Sequence, residues 1–262
     1  MLLENKSIVI IGGTTGIGLS GAKACLREGA RVFVVGRNDD NVRKARTELG
    51  KDAIALAADA THPETAEKAI EFAHEKFGRV DAIYHVAGGS GRKMGDGPLH
   101  EITNEGWHYT LDLNMTSVFY SSRAAARYFL KHERGGSILN LGSILGAHPS
   151  PKFFATHGYA TAKGSLIGLT KTCAAYYASR NIRFNLLVPA LVDTPMSQRA
   201  MNNTEIMRFV ATKQPLDGGR AGLPEDLDQA AVFFLSDHSK FCTGQILAVD
   251  GGWSVSEGQI NG

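Results

Sequence analysis

Near the amino end of the chain stands the stretch Ser7-Ile-Val-Ile-Ile-Gly12-Gly-Thr-Thr-Gly16-Ile-Gly18. Its β-branched start predicts a short strand at Ser7–Ile11, and the composition of Leu19–Glu28 predicts a helix directly after the glycines. Glycines let a backbone approach a pyrophosphate closely, and the free N–H groups of a following helix attract negative charge. A strand, a glycine turn and a helix in this order predict a dinucleotide cradle. The alternative is a glycine-rich turn without a ligand.

The rest of the chain alternates short apolar runs with segments of helical composition. Further strands are expected at 31–35, 53–57, 81–86, 136–141, 183–188 and 245–249, with helices between them. Short strands separated by helices are typical of a parallel sheet whose ligands gather beyond the carboxyl ends of its strands. The predicted fold is therefore α/β, a doubly wound Rossmann-type sandwich with a seven-stranded parallel sheet and helices on both faces. No linker or repeat divides the chain, so a single domain is expected over residues 1–262.

Composition narrows the class of protein. With 262 residues, 43% of them hydrophobic, the chain can bury a large core. The formal net charge of +2, without a block of like charge, implies neither nucleic acid nor a membrane surface as a partner. The cysteines Cys25, Cys173 and Cys242 are far apart, which favours reduced thiols in a cytoplasmic protein. No apolar run is long enough to span a bilayer, and neither a secretory leader nor a metal site is expected.

Tyr159 and Lys163 are separated by one helical turn, which puts the ammonium beside the phenol. A phenol titrates near ~10, a cation at ~4 Å contributes ~4 kcal/mol, and each pKa unit takes ~1.4 kcal/mol. Lys163 alone is therefore expected to supply most of a ~3-unit lowering of the Tyr159 pKa. A tyrosine poised near neutral pH can give a proton to a carbonyl oxygen or take one from an alcohol, as reversible hydride chemistry requires. Ser143 follows the fifth expected strand, at the same sheet edge as the glycine turn.

Taken together, these motifs resemble the short-chain dehydrogenase/reductase family. The resemblance covers nearly the whole chain, from the glycine turn through Ser143, Tyr159-x-x-x-Lys163 and Asn185…Pro189…Thr194 to Asp250-Gly-Gly252. It implies that Tyr159 is the catalytic acid/base, that Lys163 lowers its pKa and holds the nicotinamide ribose, and that Ser143 hydrogen-bonds the substrate oxygen. It also implies that Asn114 holds a water that relays protons to Lys163. Asn114 lies in the helical stretch Asn104–Leu130, which is expected to be two helices or one kinked helix.

The same resemblance implies the cofactor contacts. Asp59 would accept a hydrogen bond from the adenine amino group, and Thr194 would bind the carboxamide of the nicotinamide. Pro189 is followed by Ala190 where the family usually has glycine. The expected cofactor-binding residues are Gly12, Thr14, Thr15, Gly16, Ile17, Gly18, Arg37, Asp59, Ala87, Gly88, Tyr159, Lys163, Pro189, Val192 and Thr194.

The end of the second strand, Val34-Val35-Gly36-Arg37-Asn38, bears on which nicotinamide cofactor is used. An NAD-specific site usually places a carboxylate where Gly36 stands, to grip both ribose hydroxyls. Arg37 can instead pair with a 2′-phosphate or stack on adenine. NADP(H) is therefore expected to be preferred. NAD(H) stays possible, because Thr15 stands where many relatives carry a second basic residue.

Departures from the family pattern leave several points open. His85-Val86-Ala87-Gly88 replaces the usual Asn-Asn-Ala-Gly, so another hydrogen-bond network is expected in place of a structural asparagine, with His85 structural or catalytic. Arg92 and Lys93 are either solvated or meet an anionic substrate. The long 144–158 interval would shape the substrate pocket, and 196–213 is expected to be a mobile helical flap.

The function stays open among several alternatives. A ketoacyl reductase, a sugar or polyol dehydrogenase and a carbonyl reductase are all compatible with the sequence, as is a regulatory or scaffold protein on this fold. A homotetramer acting on a small carbonyl or alcohol is expected by resemblance.

Overall fold

Parallel strands form the centre of the protein. The structure, a computed structural model, describes residues 1–258. Within this range the strands are β1 (Ser7–Ile11), β2 (Arg31–Gly36), β3 (Ala53–Ala57), β4 (Ala82–His85), β5 (Gly136–Leu141), β6 (Ile182–Pro189) and β7 (Ile246–Val249). They form one seven-stranded sheet in the order β3-β2-β1-β4-β5-β6-β7, and every neighbouring pair is parallel. The predicted doubly wound Rossmann-type sheet is confirmed.

Helices connect the strands and cover both faces of the sheet. They are α1 (Gly16–Arg27), α2 (Asp39–Leu49), α3 (Pro63–Phe77), α4 (Asn104–Leu111), α5 (Ser117–Lys131), α6 (His157–Tyr177), α7 (Gln198–Met201), α8 (Thr204–Lys213) and α9 (Asp228–Leu235). A π-helical turn at Asp112–Thr116 joins α4 to α5, which gives the interrupted helix that the sequence predicts. The expected flap contains α7 and α8, and its mobility stays a prediction.

Alternate residues of β1 and β2 pack into two separate cores. Ile10 and Val34 face α1, α2 and α9, whereas Val9 and Phe33 face α3, α5 and α6. Because successive side chains of a strand point to opposite faces, strands buried on both sides read as continuous apolar runs. This explains why β1 and β2 carry almost no polar residues. Among residues 1–258, no helix has both the length and the apolar character needed to cross a membrane.

The strand order reverses beside β1, and this opens a crevice beyond the carboxyl ends of β1 and β4. The backbone amides of Gly12 and Gly13 both donate to the carbonyl of Val35, at 2.8 and 3.0 Å. On the other side, the amide of Ala87 donates to the carbonyl of Ile11 at 2.9 Å. The glycine turn and the loop after β4 are therefore held on either side of the crevice.

Candidate active site

The glycine turn has no room for side chains. Gly12 has a φ of 88°, and a Cβ there would lie 2.5 Å from the amide nitrogen of Ala87. A Cβ on Gly18 would lie 2.0 Å from the carbonyl oxygen of Gly12. Helix α1 begins directly behind the turn, and the side chain of its N-cap Thr15 makes no capping hydrogen bond. An open, positively polarised helix start behind a bare backbone turn fits a pyrophosphate.

A cavity of about 420 Å³ runs along this sheet edge from the glycine turn to Trp253. Most of the residues expected to bind cofactor or substrate line it: Gly12, Thr14, Thr15, Gly16, Ile17, Arg37, Asp59, Ala87, Gly88, Ser143, Tyr159, Lys163, Pro189, Val192 and Thr194. Gly18 and Asn114 do not. Gly18 packs against the backbone of Gly12, and its lack of a side chain allows helix α1 to lie close to the glycine turn. Its expected contact with a cofactor stays a prediction.

Asn114 also lies behind the cavity wall. Its Oδ1 accepts from the amide of Gly89 at 3.0 Å, and its Nδ2 donates to the carbonyls of Gly89 and Thr110, both at 2.9 Å. A Cβ on Gly88 would lie 2.8 Å from Asn114 Oδ1. Asn114 lies in the π-helical turn, and both atoms of its side-chain amide hydrogen-bond to Gly89. The side chain therefore holds the loop after β4 against this turn. The water relay to Lys163 stays a prediction.

Lys163 is deeply buried, with 3% of its surface exposed. Its Nζ donates to the carbonyl of Leu141 at 2.8 Å and lies 5.9 Å from the centre of the Tyr159 ring. Burial lowers the pKa of Lys163 to about 8. Burial also raises the pKa of Tyr159, and a hydrogen bond from Ser143 opposes that rise only in part. The expectation that Lys163 lowers the pKa of Tyr159 is wrong for this geometry, because loss of water around the phenol dominates and the ammonium is directed at a backbone carbonyl.

Asp96 is a residue of the candidate site that sequence reasoning missed, because it holds the backbone of Tyr159. It is 5% exposed and lies in the loop after β4. Its carboxylate accepts the amide of Gly158 at 2.9 Å and the amide of Tyr159 at 3.0 Å. These are the second and third residues of α6, which begins at His157. The negative charge at a helix start is favourable, and it fixes the turn that presents Tyr159. No local pattern announces a partner 63 residues away.

Aromatic side chains form the far wall of the cavity. Trp253 is 2% exposed, and its ring packs edge-on against Phe154 and Phe209, at 5.9 and 5.8 Å between ring centres. Phe154 lines the cavity, whereas Phe153 does not and packs on Phe209 at 5.1 Å. The sequence pointed to the two phenylalanines. It did not point to Trp253, whose only signal was its place directly after Asp250-Gly-Gly252.

At the other end of the cavity, Arg37 lies beside Asp59, with 3.9 Å between their nearest N and O atoms. Burial raises the pKa of Asp59, but hydrogen bonds from Thr61 and the charge of Arg37 outweigh it, so the pKa is lowered. A Cβ on Gly36 would lie 2.1 Å from the hydroxyl of Thr14. Thr14 therefore occupies the space that a ribose-binding carboxylate would need.

His85 provides the network that replaces the missing asparagine. Its Nδ1 lies 2.5 Å from the Ser121 hydroxyl, and its Nε2 lies 3.1 Å from the Ala87 carbonyl and 3.3 Å from the Ser117 hydroxyl. Burial first, and then the charge of Lys163, lowers the pKa of His85 to about 3. A neutral, fully buried imidazole that links β4 to α5 is structural. Among residues 1–258, no group of three or more His, Cys, Asp or Glu side chains could hold a metal ion.

Comparison with known proteins agrees with this arrangement. A family model described as enoyl-(acyl carrier protein) reductase matches residues 12–254. The chain is 34% identical to 2-(S)-hydroxypropyl-CoM dehydrogenase 3 of Xanthobacter autotrophicus, covering 97% of this chain and 98% of the relative. It is 31% identical to the 3-oxoacyl-[acyl-carrier-protein] reductase of Thermotoga maritima, over 96% and 99% of the two chains. The structure of a short-chain type dehydrogenase/reductase from Mycobacterium ulcerans superposes with a TM-score of 0.89 at 29% identity, over 98% and 92% of the two chains.

Proposed function

Because this chain belongs to the short-chain dehydrogenase/reductase family, we propose that it transfers hydride between NADP(H) and a ketone or secondary alcohol. The chain is an NAD(P)-dependent oxidoreductase that acts on CH–OH or C=O groups. The observation that carries the finer proposal is that Ser143, Tyr159 and Lys163 line the same cavity as the glycine cradle. We also propose that residues 1–262 are one catalytic domain, since the cavity takes residues from Ile11 to Trp253.

Tyr159 is the proposed proton donor to the substrate oxygen, and Ser143 is proposed to donate a hydrogen bond to the same oxygen. The nicotinamide, when bound, supplies or accepts the hydride. Burial raises the pKa of Tyr159, so the phenol is protonated at neutral pH, which is the form that carbonyl reduction needs. Alcohol oxidation needs the phenolate and should therefore require a higher pH. Lys163, with its pKa lowered to about 8 by burial, is charged at neutral pH and in place to hold the nicotinamide ribose.

NADP(H) is the proposed preferred cofactor. Two features support it: Thr14 fills the space where an NAD-type carboxylate would stand, and the guanidinium of Arg37 is 63% exposed at the cavity end. Asp59 competes for this guanidinium at 3.9 Å, but the contact is too long for a hydrogen bond. NAD(H) remains the alternative cofactor, because the glycine turn itself contains no cation.

The substrate is proposed to be a small carbonyl or alcohol compound rather than a nucleic acid or a membrane component. The relatives include a 3-oxoacyl reductase and a hydroxypropyl-CoM dehydrogenase, whose substrates differ, so their names do not select one substrate class for this chain. The residues that line the cavity are the remaining guide to the substrate. We further propose a homotetramer located in the cytoplasm. In the described part of the chain Cys25, Cys173 and Cys242 are free thiols, which fits a reducing compartment.

The test is a substrate screen combined with one substitution. Oxoacyl thioesters, sugars and cyclic ketones are offered with NADPH and NADH while the nicotinamide absorbance is followed. On the best substrate, Tyr159→Phe should lose nearly all turnover and keep its affinity for the cofactor, because only the proton-transferring hydroxyl is removed. Tyr176→Phe, on the exposed side of the same helix, serves as the matched control. Retention of more than about a tenth of kcat by Tyr159→Phe would contradict the assignment.

A further inference from the structure

Two arginines from separate parts of the chain point at the same carbonyl oxygen. Arg92 Nη2 lies 3.4 Å from the Phe153 carbonyl, and Arg199 Nη2 lies 3.0 Å from it. Arg92 belongs to the loop after β4 and is half-buried, whereas Arg199 belongs to α7 and is exposed. The two guanidiniums therefore converge on one neutral oxygen of the 144–158 segment.

The two guanidiniums have no carboxylate in direct contact. Among residues 1–258, neither forms an ion pair, whereas neighbouring Lys152 pairs with Glu205 at 2.7 Å. The charge of Asp96 favours the charged form of Arg92, but the Asp96 oxygens accept amides of α6 and not the guanidinium. Burial first, and then the charge of Arg199, lowers the pKa of Arg92. The two like charges repel each other, and an anion bound between them would remove that repulsion.

The two arginines lie next to the cavity that holds Ser143 and Tyr159, although neither lines it. Both contact the Phe153 carbonyl, and the next residue, Phe154, lines the cavity. The guanidinium carbon of Arg199 also lies 5.8 Å from the ring centre of Phe154. Phe154 therefore connects the cavity wall to the two cations.

We propose that the substrate carries an oxyanion, a carboxylate, phosphate or sulfonate, which Arg92 and Arg199 bind together while its carbonyl or alcohol carbon lies at Ser143 and Tyr159. The inference rests on the proposed function, since it assigns a substrate class to the same cavity. A guanidinium presents a planar fork of donors that matches an oxyanion, and it can bind a carboxylate or phosphate through two parallel hydrogen bonds, which a single carbonyl oxygen does not offer. The anion would therefore replace the Phe153 carbonyl as the shared acceptor.

Matched ketones with and without a charge test this. The probes are 4-oxopentanoate and 5-oxohexanoate against 4-oxopentanamide and 5-oxohexanamide, each with saturating NADPH. We expect kcat/KM of the wild type to be at least about tenfold higher for the carboxylate of the better pair, the effect of one charge-assisted contact. Arg92→Gln and Arg199→Gln should each reduce this ratio about tenfold, and Arg199→Lys should keep part of it. Lys93→Gln, an exposed cation on the same loop, is the control whose ratio should stay at the wild-type value.

Several outcomes would overturn the proposal. These are equal use of carboxylate and amide by the wild type, an unchanged ratio in both arginine variants, and an equal loss in Lys93→Gln. If the enzyme reduces only oxoacyl groups attached to an acidic carrier protein, the two arginines would be assigned to binding that carrier protein and not an anionic group of the substrate. If no ketone is reduced, the proposed function fails. The anion site is then tested separately by measuring whether the probes bind to the protein. The carboxylate, but not the amide, should raise the unfolding temperature of the wild type and of Tyr159→Phe, and should not do so in Arg92→Gln/Arg199→Gln.

Discussion

Asp96 accepts the backbone amide of Tyr159 at 3.0 Å, so the position of the proposed proton donor depends on a carboxylate from the loop after β4. The second carboxylate oxygen accepts the amide of Gly158, and a Cβ at Gly158 would lie 3.1 Å from that oxygen. The loop and the start of α6 are therefore in direct contact. Because a helix turn moves as a unit, a shift of this loop would move the phenol relative to Ser143.

Replacing Asp96 should lower both stability and turnover. Loss of a side chain that caps a helix start costs about 0.5–2 kcal/mol, and we expect Asp96→Ala to lose about 1–2 kcal/mol of unfolding free energy. Its kcat should fall more than tenfold, roughly, because a misplaced tyrosine donates poorly. Asp96→Asn keeps one acceptor and should recover part of both losses. The exposed carboxylate of Glu101 in the same loop provides the control, Glu101→Ala. A kcat of Asp96→Ala equal to that of the wild type would show that the cap does not position Tyr159.

The lowered pKa of Lys163 should be visible in the pH dependence of the reaction. Burial lowers this pKa to about 8, so the ammonium loses its proton as pH rises through that value. We expect kcat/KM for ketone reduction to fall above about pH 8, because this parameter reports the groups of the free enzyme. Lys163→Arg should move that fall to higher pH, and Lys163→Ala should lose turnover and bind cofactor more weakly. Lys171→Ala, exposed on the same helix, should leave the profile unchanged. A wild-type profile that is flat up to pH 10 would contradict the assignment.

The choice of cofactor should depend on Arg37. One charge-assisted contact with a 2′-phosphate, about 1.5–3 kcal/mol, would give roughly tenfold to hundredfold preference for NADPH over NADH. Arg37→Ala should remove most of this preference through a higher KM for NADPH. The control is Arg43→Ala, an exposed arginine of α2 that pairs with Asp40. Equal use of the two cofactors by the wild type, or the same ratio in Arg37→Ala, would show that NADP(H) is not preferred.

His85 should make the fold sensitive to acid. Burial lowers its pKa to about 3, whereas an unfolded histidine titrates near ~6.5. Between these values the unfolded chain binds a proton that the folded chain does not, so the unfolding free energy falls as pH decreases from about 6.5 toward 3. In His85→Asn, the slope over this window should be shallower by up to about 1.4 kcal/mol per pH unit. His100→Asn, at a side chain that is 80% exposed, should keep the wild-type slope. Identical slopes in all three proteins would rule out a buried neutral imidazole.

Apolar side chains on the surface bear on the expected homotetramer. Tyr176 on α6 is 78% exposed, Phe241 is fully exposed, and Leu247 on the edge strand β7 is 38% exposed. Light scattering at micromolar concentration should therefore give a mass near four times the 28.1 kDa of one chain. Tyr176→Asp should weaken the assembly if α6 lies in an interface, because it would bury an unpaired charge. A wild-type monomer would contradict the expectation.

The sequence by itself determined the sheet, the glycine cradle and the order of the catalytic residues. Each of these depends on a local pattern: apolar runs buried on both faces specify strands, glycines specify a close backbone approach, and a spacing of one turn brings Lys163 near Tyr159. Ser143 could be predicted at the same edge because the carboxyl ends of parallel strands meet there, and the alternation of strands and helices already indicated parallel strands. Thr194 was predicted from the family resemblance.

Only the tertiary structure decided the features that depend on distant partners and on burial. Asp96 meets α6 across 63 residues, and Trp253 closes the cavity from the far end of the chain. The direction of the Tyr159 pKa shift also depends on how much water the folded chain removes from the phenol, which spacing along a helix does not contain. The closeness of Arg92 and Arg199 also depended on tertiary structure, because the loop after β4 and helix α7 had to fold against the Phe153 carbonyl before the two cations could meet.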